Sequence, residues 1–376
     1  MKYVDEYRDT KLAFELSRGI RRLAESDNNN YTFMEVCGTH TNTFFKFGLK
    51  SLLPENIRLI SGPGCPVCVT EDSYIDNAIS LAKIKDSIIT TFGDMMKVPG
   101  SSSSLYKERA EGCEIRVVYS TLDALKIAEK NPSKNIIFLA VGFETTAPTV
   151  GMAVLEAGKR RLGNFFIYSA HKLIPPALDV LIKDKELRID GFMLPAHVST
   201  IIGTDAYRSL IKNRIPGVIA GFEPLDMLQG IFMLLKQIKA GRAKIEIQYN
   251  RVAKKSGNKV AQDLLEKVFK VSDVYWRGFG IIPSSGLELK SQYGSFDAKR
   301  RFGLRETRRA ESGNDCLCGE VIKGKVRPDE CKLFAKVCTP DNPKGPCMVS
   351  SEGSCSIHYK YKTRQPREVR EIDYGR

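Results

Sequence analysis

The chain predicts an α/β fold: two Rossmann-like lobes built on parallel sheets, plus a small cysteine-rich domain. Three observations carry this. From about residue 31 to residue 269 short apolar segments alternate with amphipathic ones, and the apolar segments have few polar interruptions, as strands covered on both faces require. Polar motifs recur directly after those apolar segments. Six of the ten cysteines fall between residues 316 and 355, a stretch too rich in loops to hold itself together on apolar packing alone.

Residues 1–30 read as a helix and a polar loop, Asp27-Asn28-Asn29-Asn30. Strands are expected at 33–36, 57–60, 87–92, 115–119, 135–141, 165–169, 190–194, 217–220 and 244–248. Helices are expected at 72–83, 122–130, 149–161, 176–183, 204–212, 225–238 and 260–269. Two Gly-Phe-Glu motifs, at 142–144 and 221–223, hint at two similar halves. The domains are expected at 1–148 (N-terminal helix and first lobe), 149–270 (second lobe) and 271–376. The last begins with a Gly- and Ser-rich connector over 271–298.

Composition narrows the function classes. No apolar run approaches the ~20 residues of a membrane helix. Residues 1–17 carry Asp5, Glu6, Arg8, Asp9 and Lys11 and lack a signal peptide's apolar core, so a cytoplasmic location is expected. The net charge of +14 is concentrated most densely at Lys299, Arg300, Arg301, Arg305, Arg308 and Arg309. That run has only Phe302 for stacking, so a solvated face or an acidic protein partner is expected ahead of a nucleic acid.

The clustered cysteines, Cys316, Cys318, Cys331, Cys338, Cys347 and Cys355, are separated by one, twelve, six, eight and seven residues. Zinc ribbons usually present paired C-x2-C knuckles, and none occurs here. Irregular spacing suits an iron–sulfur cubane, whose thiolates come from separate loops. Tetrahedral zinc is the runner-up, and a disulfide framework is disfavoured in a reducing compartment. A cubane takes four thiolates, which leaves two.

In Gly62-Pro63-Gly64-Cys65-Pro66-Val67-Cys68 the first three residues make a tight turn, and Thr70 is placed to cap the next helix. A CxxC at a helix N-terminus has a stabilised thiolate and can alternate between dithiol and disulfide. Half of a structural zinc site would need a second CxxC, which the chain lacks. Cys37-Gly38-Thr39-His40 also ends a strand. Cys37 is a candidate nucleophile or metal ligand, and His40 a candidate to share the metal or accept the thiol proton; a buried structural cysteine is the plainer alternative. His171 and His197 follow predicted strands, as do Asp94 and Glu144, which could orient a histidine, bind iron, move protons or cap helices. Open parallel sheets bind ligands at these strand ends, so the loops are expected to converge on one cleft. Cys113 has no partner motif and reads as a bystander.

The motifs CGTH, GPGCPVC, TFGDMM with VPG, GFETTAP, SAHKL, PAHVS and CTPDNPKGPCMVSSEGSC resemble the HypD family of nickel–iron hydrogenase maturation factors, and the resemblance covers the chain from about residue 12 to residue 362. The resemblance implies a scaffold on which iron acquires diatomic ligands, working with a HypC-like chaperone and with HypE as cyanide donor. The resulting Fe(CN)2(CO) unit would pass to the hydrogenase large subunit. It implies a [4Fe–4S] cluster on Cys316, Cys331, Cys338 and Cys355, with Cys318 and Cys347 as an extra thiol pair. Cys37 would hold the iron under assembly and Cys65 and Cys68 would be the redox pair. His40, Asp94, Glu144, His171 and His197 would line the cleft. A stand-alone iron–sulfur thiol–disulfide reductase and an RNA-binding zinc or iron–sulfur protein are the competing readings.

Overall fold

The computed structural model describes residues 5–304 and 315–362. Among them lie eleven strands: β1 Tyr31–Glu35, β2 Ile57–Ser61, β3 Ser87–Thr91, β4 Ile115–Val117, β5 Asn135–Gly142, β6 Phe165–Lys172, β7 Gly191–Pro195, β8 Gly217–Ala220, β9 Ile245–Ile247, β10 Phe269–Trp276 and β11 Gly280–Leu289. They form two sheets, in the orders β2-β1-β7-β8-β9 and β10-β11-β6-β5-β3-β4. Every pairing is parallel except those of the β10–β11 hairpin and of β11 with β6.

Renumbered within each sheet, the parallel strands share the order 2-1-3-4, so both sheets are doubly wound and reverse beside their first strand. The reversal lies between β1 and β7 in one sheet and between β3 and β5 in the other. The expected boundary near residue 148 does not follow the sheets. The first sheet takes β1 and β2 from before it and β7 to β9 from after it, while β5 and β6, on either side of it, are neighbours in the second. The two Gly-Phe-Glu motifs are not equivalent, since one follows the third strand of its sheet and the other the fourth.

Three cores hold the layers. One lies between the sheets and joins Val36, Ile89, Leu139, Tyr168, Leu194 and Ile219 with Cys65, Cys68, Cys318 and Cys347. A second covers the outer face of the six-stranded sheet, with Ile88, Phe138 and Ile167 packed under helix Ala147–Lys159. The third covers the outer face of the five-stranded sheet, where Phe33, Met193 and Val218 meet Ile20 and Leu228. The cysteine-rich segment is therefore not an appendage, because two of its sulfurs belong to the core between the sheets.

The expected connector over 271–298 contains most of the β10–β11 hairpin, and it edges the six-stranded sheet. Thr70 does not cap the following helix. It closes the one-turn helix Pro66–Val69, its hydroxyl donating to the Pro66 carbonyl at 2.8 Å, and Glu71 precedes helix Asp72–Ala82. Of the basic run, Lys299 pairs with Glu288 and Arg301 lies over the Phe166 ring; Arg305, Arg308 and Arg309 lie outside the described residues.

Candidate functional site

β1 ends at Glu35, and the chain turns through Val36 and Cys37 into helix Gly38–Lys46, of which Cys37 is the N-cap. β2 beside it ends at Ser61 and turns through Gly62-Pro63-Gly64 into helix Pro66–Val69, of which Cys65 is the N-cap. Parallel pairing places both turns at the same sheet edge. They touch: a Cβ on Gly64 would lie 2.5 Å from Cys37 Cα and 2.7 Å from Val36 C, so the close approach requires glycine. Gly38 meets the cysteine-rich segment in the same way, since a Cβ there would lie 2.7 Å from Glu352 Cα. Cys65 and Cys68 form a disulfide, and the Cys68 N–H points at Cys65 Sγ, 3.1 Å away.

A small cleft opens between these elements, lined by Gly38, Thr41, Gly62, Pro63, Gly64, Cys65, Cys68, Ile322, Cys347, Glu352 and Ser354. It thus brings the disulfide, a sulfur of the C-terminal group and a carboxylate together, one residue from Cys37. Segment 350–361 straps it across both lobes. Ser350 Oγ donates to Asp94 Oδ2 at 3.0 Å, Thr39 Oγ1 donates to Glu352 Oε1 at 3.0 Å, and Tyr361 Oη donates to Asn42 Oδ1 at 2.9 Å.

Burial sets the electrostatics. The Cys37 thiol is pushed up to about 12, first by burial and then by the Glu352 charge. Burial also raises Glu352, against the hydrogen bond from Thr39. His40 donates its Nε2 proton to the carbonyls of Ala220 (2.9 Å) and Gly221 (3.1 Å), which fixes the tautomer and leaves Nδ1 as a bare lone pair without a partner. Burial holds that ring neutral, its pKa lowered to about 4.

The C-terminal thiols meet in a chain. Cys316 touches Cys318, Cys318 touches Cys347, and Cys347 touches Cys355. Cys338 accepts from Lys344 N at 3.4 Å and lies within electrostatic reach of Cys316 and Cys331. The hydrogen bond to Cys318 and burial push Cys316 up, and burial pushes Cys338 up. Among the described residues no group of three or more Cys, His, Asp or Glu side chains is arranged to hold a metal ion. The donor chemistry does fit an iron–sulfur cluster: the set is all sulfur, and Gly345 leaves open the space over Cys316 Sγ, 2.9 Å from where a Cβ would stand.

The predicted histidines and carboxylates separate. His40 and His197 flank the Phe222 ring at 5.0 and 4.2 Å, beside the β1/β7 reversal, and His197 is exposed. Asp94 and Glu144 follow β3 and β5 at the other reversal. Asp94 reaches the cleft through Ser350. Glu144 is buried, accepts from Ile174 N at 2.9 Å and is raised to about 7 by burial. His171 is not brought to the cleft. It lies within β6, and its ring stands against Phe269, 5.8 Å away, in the outer core.

Sequence reasoning missed three residues. Glu35 is buried beside Cys37, raised to about 7 by burial, and accepts from Ser61 Oγ at 3.1 Å. Glu352 is one of many surface-type residues in a loop, and only its place in the C-terminal motif marked it. Arg277, 7% exposed in the hairpin turn, donates to the Thr70 carbonyl and to Asp72.

The HypD family, described as the hydrogenase formation hypA family, matches residues 11–362. The chain is 47% identical over 371 residues to hydrogenase maturation factor HypD2 of Bradyrhizobium diazoefficiens, covering 96% of this chain and 97% of that protein. It is 43% identical over 373 residues to hydrogenase maturation factor HypD of Escherichia coli, covering 97% and 99%. It is 44% identical over 344 residues to a putative hydrogenase expression/formation protein of Methanocaldococcus jannaschii, covering 91% and 95%. A family match over nearly the whole length, with relatives 43–47% identical over 91% or more of this chain, makes it a member of the HypD family of hydrogenase maturation factors.

Proposed function

We propose that the chain is the cytoplasmic scaffold on which an iron ion acquires cyanide and carbon monoxide before delivery to a hydrogenase large subunit, in complex with a HypC-like chaperone and a HypE-like cyanide donor. The observation that carries this reading is the contact of the Cys37 and Gly64 backbones. It holds a lone buried thiol, at the end of the strand that borders the sheet reversal, beside the Cys65–Cys68 disulfide that follows the neighbouring strand.

A thiol raised to about 12 stays protonated until a cation arrives, and binding iron drives the proton off. The neutral His40 ring, its Nε2 proton committed to two carbonyls, offers Nδ1 as ligand or proton acceptor. Glu352, anchored by Thr39, adds a carboxylate to the same pocket. Opening Cys65–Cys68 takes two electrons and two protons and yields two thiols beside the iron. Cys316, Cys331, Cys338 and Cys355 would hold a [4Fe–4S] cluster, which when bound supplies electrons singly. Cys318 and Cys347, which touch each other and also touch Cys316 and Cys355, would be the extra thiol pair.

The stand-alone reductase reading needs an exposed sulfur for a protein partner to attack. Cys65 and Cys68 are 5% and 1% exposed, which favours the scaffold.

The test is an infrared spectrum of the anaerobically purified protein with its HypC-like partner. Metal–CN and metal–CO bands are expected, and Cys37→Ala should lose them. Bands at full strength in that variant would remove Cys37 from the role.

A further inference from the structure

The tip of the β10–β11 hairpin is wedged between the disulfide helix and the cysteine-rich segment. Arg277 N donates to the Val69 carbonyl at 2.9 Å. Its guanidinium donates to the Thr70 carbonyl through Nε (3.1 Å) and Nη2 (2.7 Å), and to Asp72 Oδ1 through Nη2 (2.7 Å). The two carbonyls close the one-turn helix that begins at Cys65, and Asp72 opens the next helix. On the other side, Gly278 packs on Gly319, where a Cβ would lie 2.7 Å from Gly319 Cα, one residue beyond Cys318. A charged side chain 7% exposed, holding the far end of a four-residue disulfide helix, exceeds what a hairpin needs for its own stability.

From this geometry we infer that Arg277 is a positioning residue for thiol exchange, which holds the Cys65–Cys68 helix in place and biases that pair towards its reduced form. The inference rests on Cys65 and Cys68 being a redox pair. In the exchange a dithiol gives two electrons and two protons. The Cys65–Cys68 S–S bond breaks, one S–H bond forms, the second sulfur remains a thiolate with its proton released to solvent, and the dithiol closes its own S–S bond. A fixed, poorly solvated positive charge favours that thiolate-bearing open pair, whereas the closed disulfide carries no charge to stabilise. Asp72 partly offsets that positive charge from the opposite side.

The experiment equilibrates the full-length protein anaerobically in dithiothreitol redox buffers, quenches with acid and an alkylating agent, and quantifies the peptide holding Cys65 and Cys68 by mass spectrometry. Arg277→Gln should shift the equilibrium about tenfold towards the disulfide, ~30 mV for a two-electron couple. Arg277→Lys, which restores the charge, should recover most of that shift. A merely structural arginine would lower the melting temperature of both variants and leave the potential unchanged. Should Arg277→Gln not fold, Asp72→Asn decides, because removing the counter-charge should move the pair several-fold towards the dithiol. Equal potentials in wild type and folded variants overturn the inference while leaving the redox pair intact. A wild-type pair that never opens in the buffers overturns both.

Discussion

Gly64→Ala is the sharpest test of how the site is built. The new methyl would stand 2.5 Å from Cys37 Cα and 2.7 Å from Val36 C, against the ~3.5–4.0 Å of ordinary carbon contacts. About 1 Å of separation must therefore be found. The neighbours are backbone atoms at the mouth of a strand and cannot rotate away as a side-chain tip would. The β1 and β2 turns must part, or the sheet edge must distort. Overpacking of this kind costs about 1–3 kcal/mol, and fixed backbone on the receiving side puts the expectation at the upper end. Denaturant unfolding of the purified variant measures it. Gly93→Ala is the control, because its methyl would meet only Val117 Cγ1 at 3.8 Å. The expected result is a loss of about 2–3 kcal/mol for Gly64→Ala and much less for Gly93→Ala. Equal stabilities would refute the claim that the two turns are locked in contact, and with it the reason Cys37 sits beside the disulfide.

Two further outcomes follow from the electrostatics and the strap. Glu144 is raised from 4.5 to about 7, so its protonated form favours the fold; that contribution is complete below the unfolded value and is lost as pH rises through about 7. Glu144→Gln keeps an acceptor for Ile174 N without the charge, so its stability relative to wild type should rise by about 2 kcal/mol between pH 5 and pH 8; a pH-independent difference would contradict the burial argument. Thr39→Val removes the donor to Glu352 and leaves a mostly buried carboxylate oxygen short of a partner, which should cost about 1–3 kcal/mol in thermal or denaturant unfolding, with Thr39→Ser recovering most of it.

Much of the fold was legible because parallel strands buried on both faces announce themselves as apolar runs. The nine strands expected all appear, with ends shifted by a few residues. The hairpin was hidden by Gly280, Pro283, Ser284 and Gly286, which read as connector. In the structure Pro283 falls where the register slips between Ile282 opposite Val274 and Gly286 opposite Ser272, a bulge of the kind that tolerates proline. His171 was misplaced for a related reason. The strand was read as ending at residue 169 but runs to Lys172, so His171 keeps the parity of Phe165 and Ile167 and faces the outer core. The division into lobes was not legible at all, since a strand–helix–strand unit has the same sequence pattern whether the chain returns to its own sheet or crosses to another. Of the site, the cysteine motifs were plain, whereas Glu35 and Arg277 act through burial and partners that no spacing encodes.

That crossing ties the two lobes together. A reversal does not need it, since β3 to β6 follow one another in the chain and their sheet reverses all the same. The crossing does give β1, which leads into Cys37, its second neighbour β7, and because the chain leaves the first sheet after β2, builds most of the second and returns at β7, the core between the sheets is shared. The segment from Cys316 to Cys355 can then enter that core with Cys318 and Cys347 while Ser350 reaches Asp94 in one lobe and Glu352 reaches Thr39 in the other. Cutting the strap should therefore act on both lobes at once: Ser350→Ala frees it from Asp94 and Thr39→Val frees it from the opposite side, both loading the three-residue stretch 350–352, so their costs should combine non-additively.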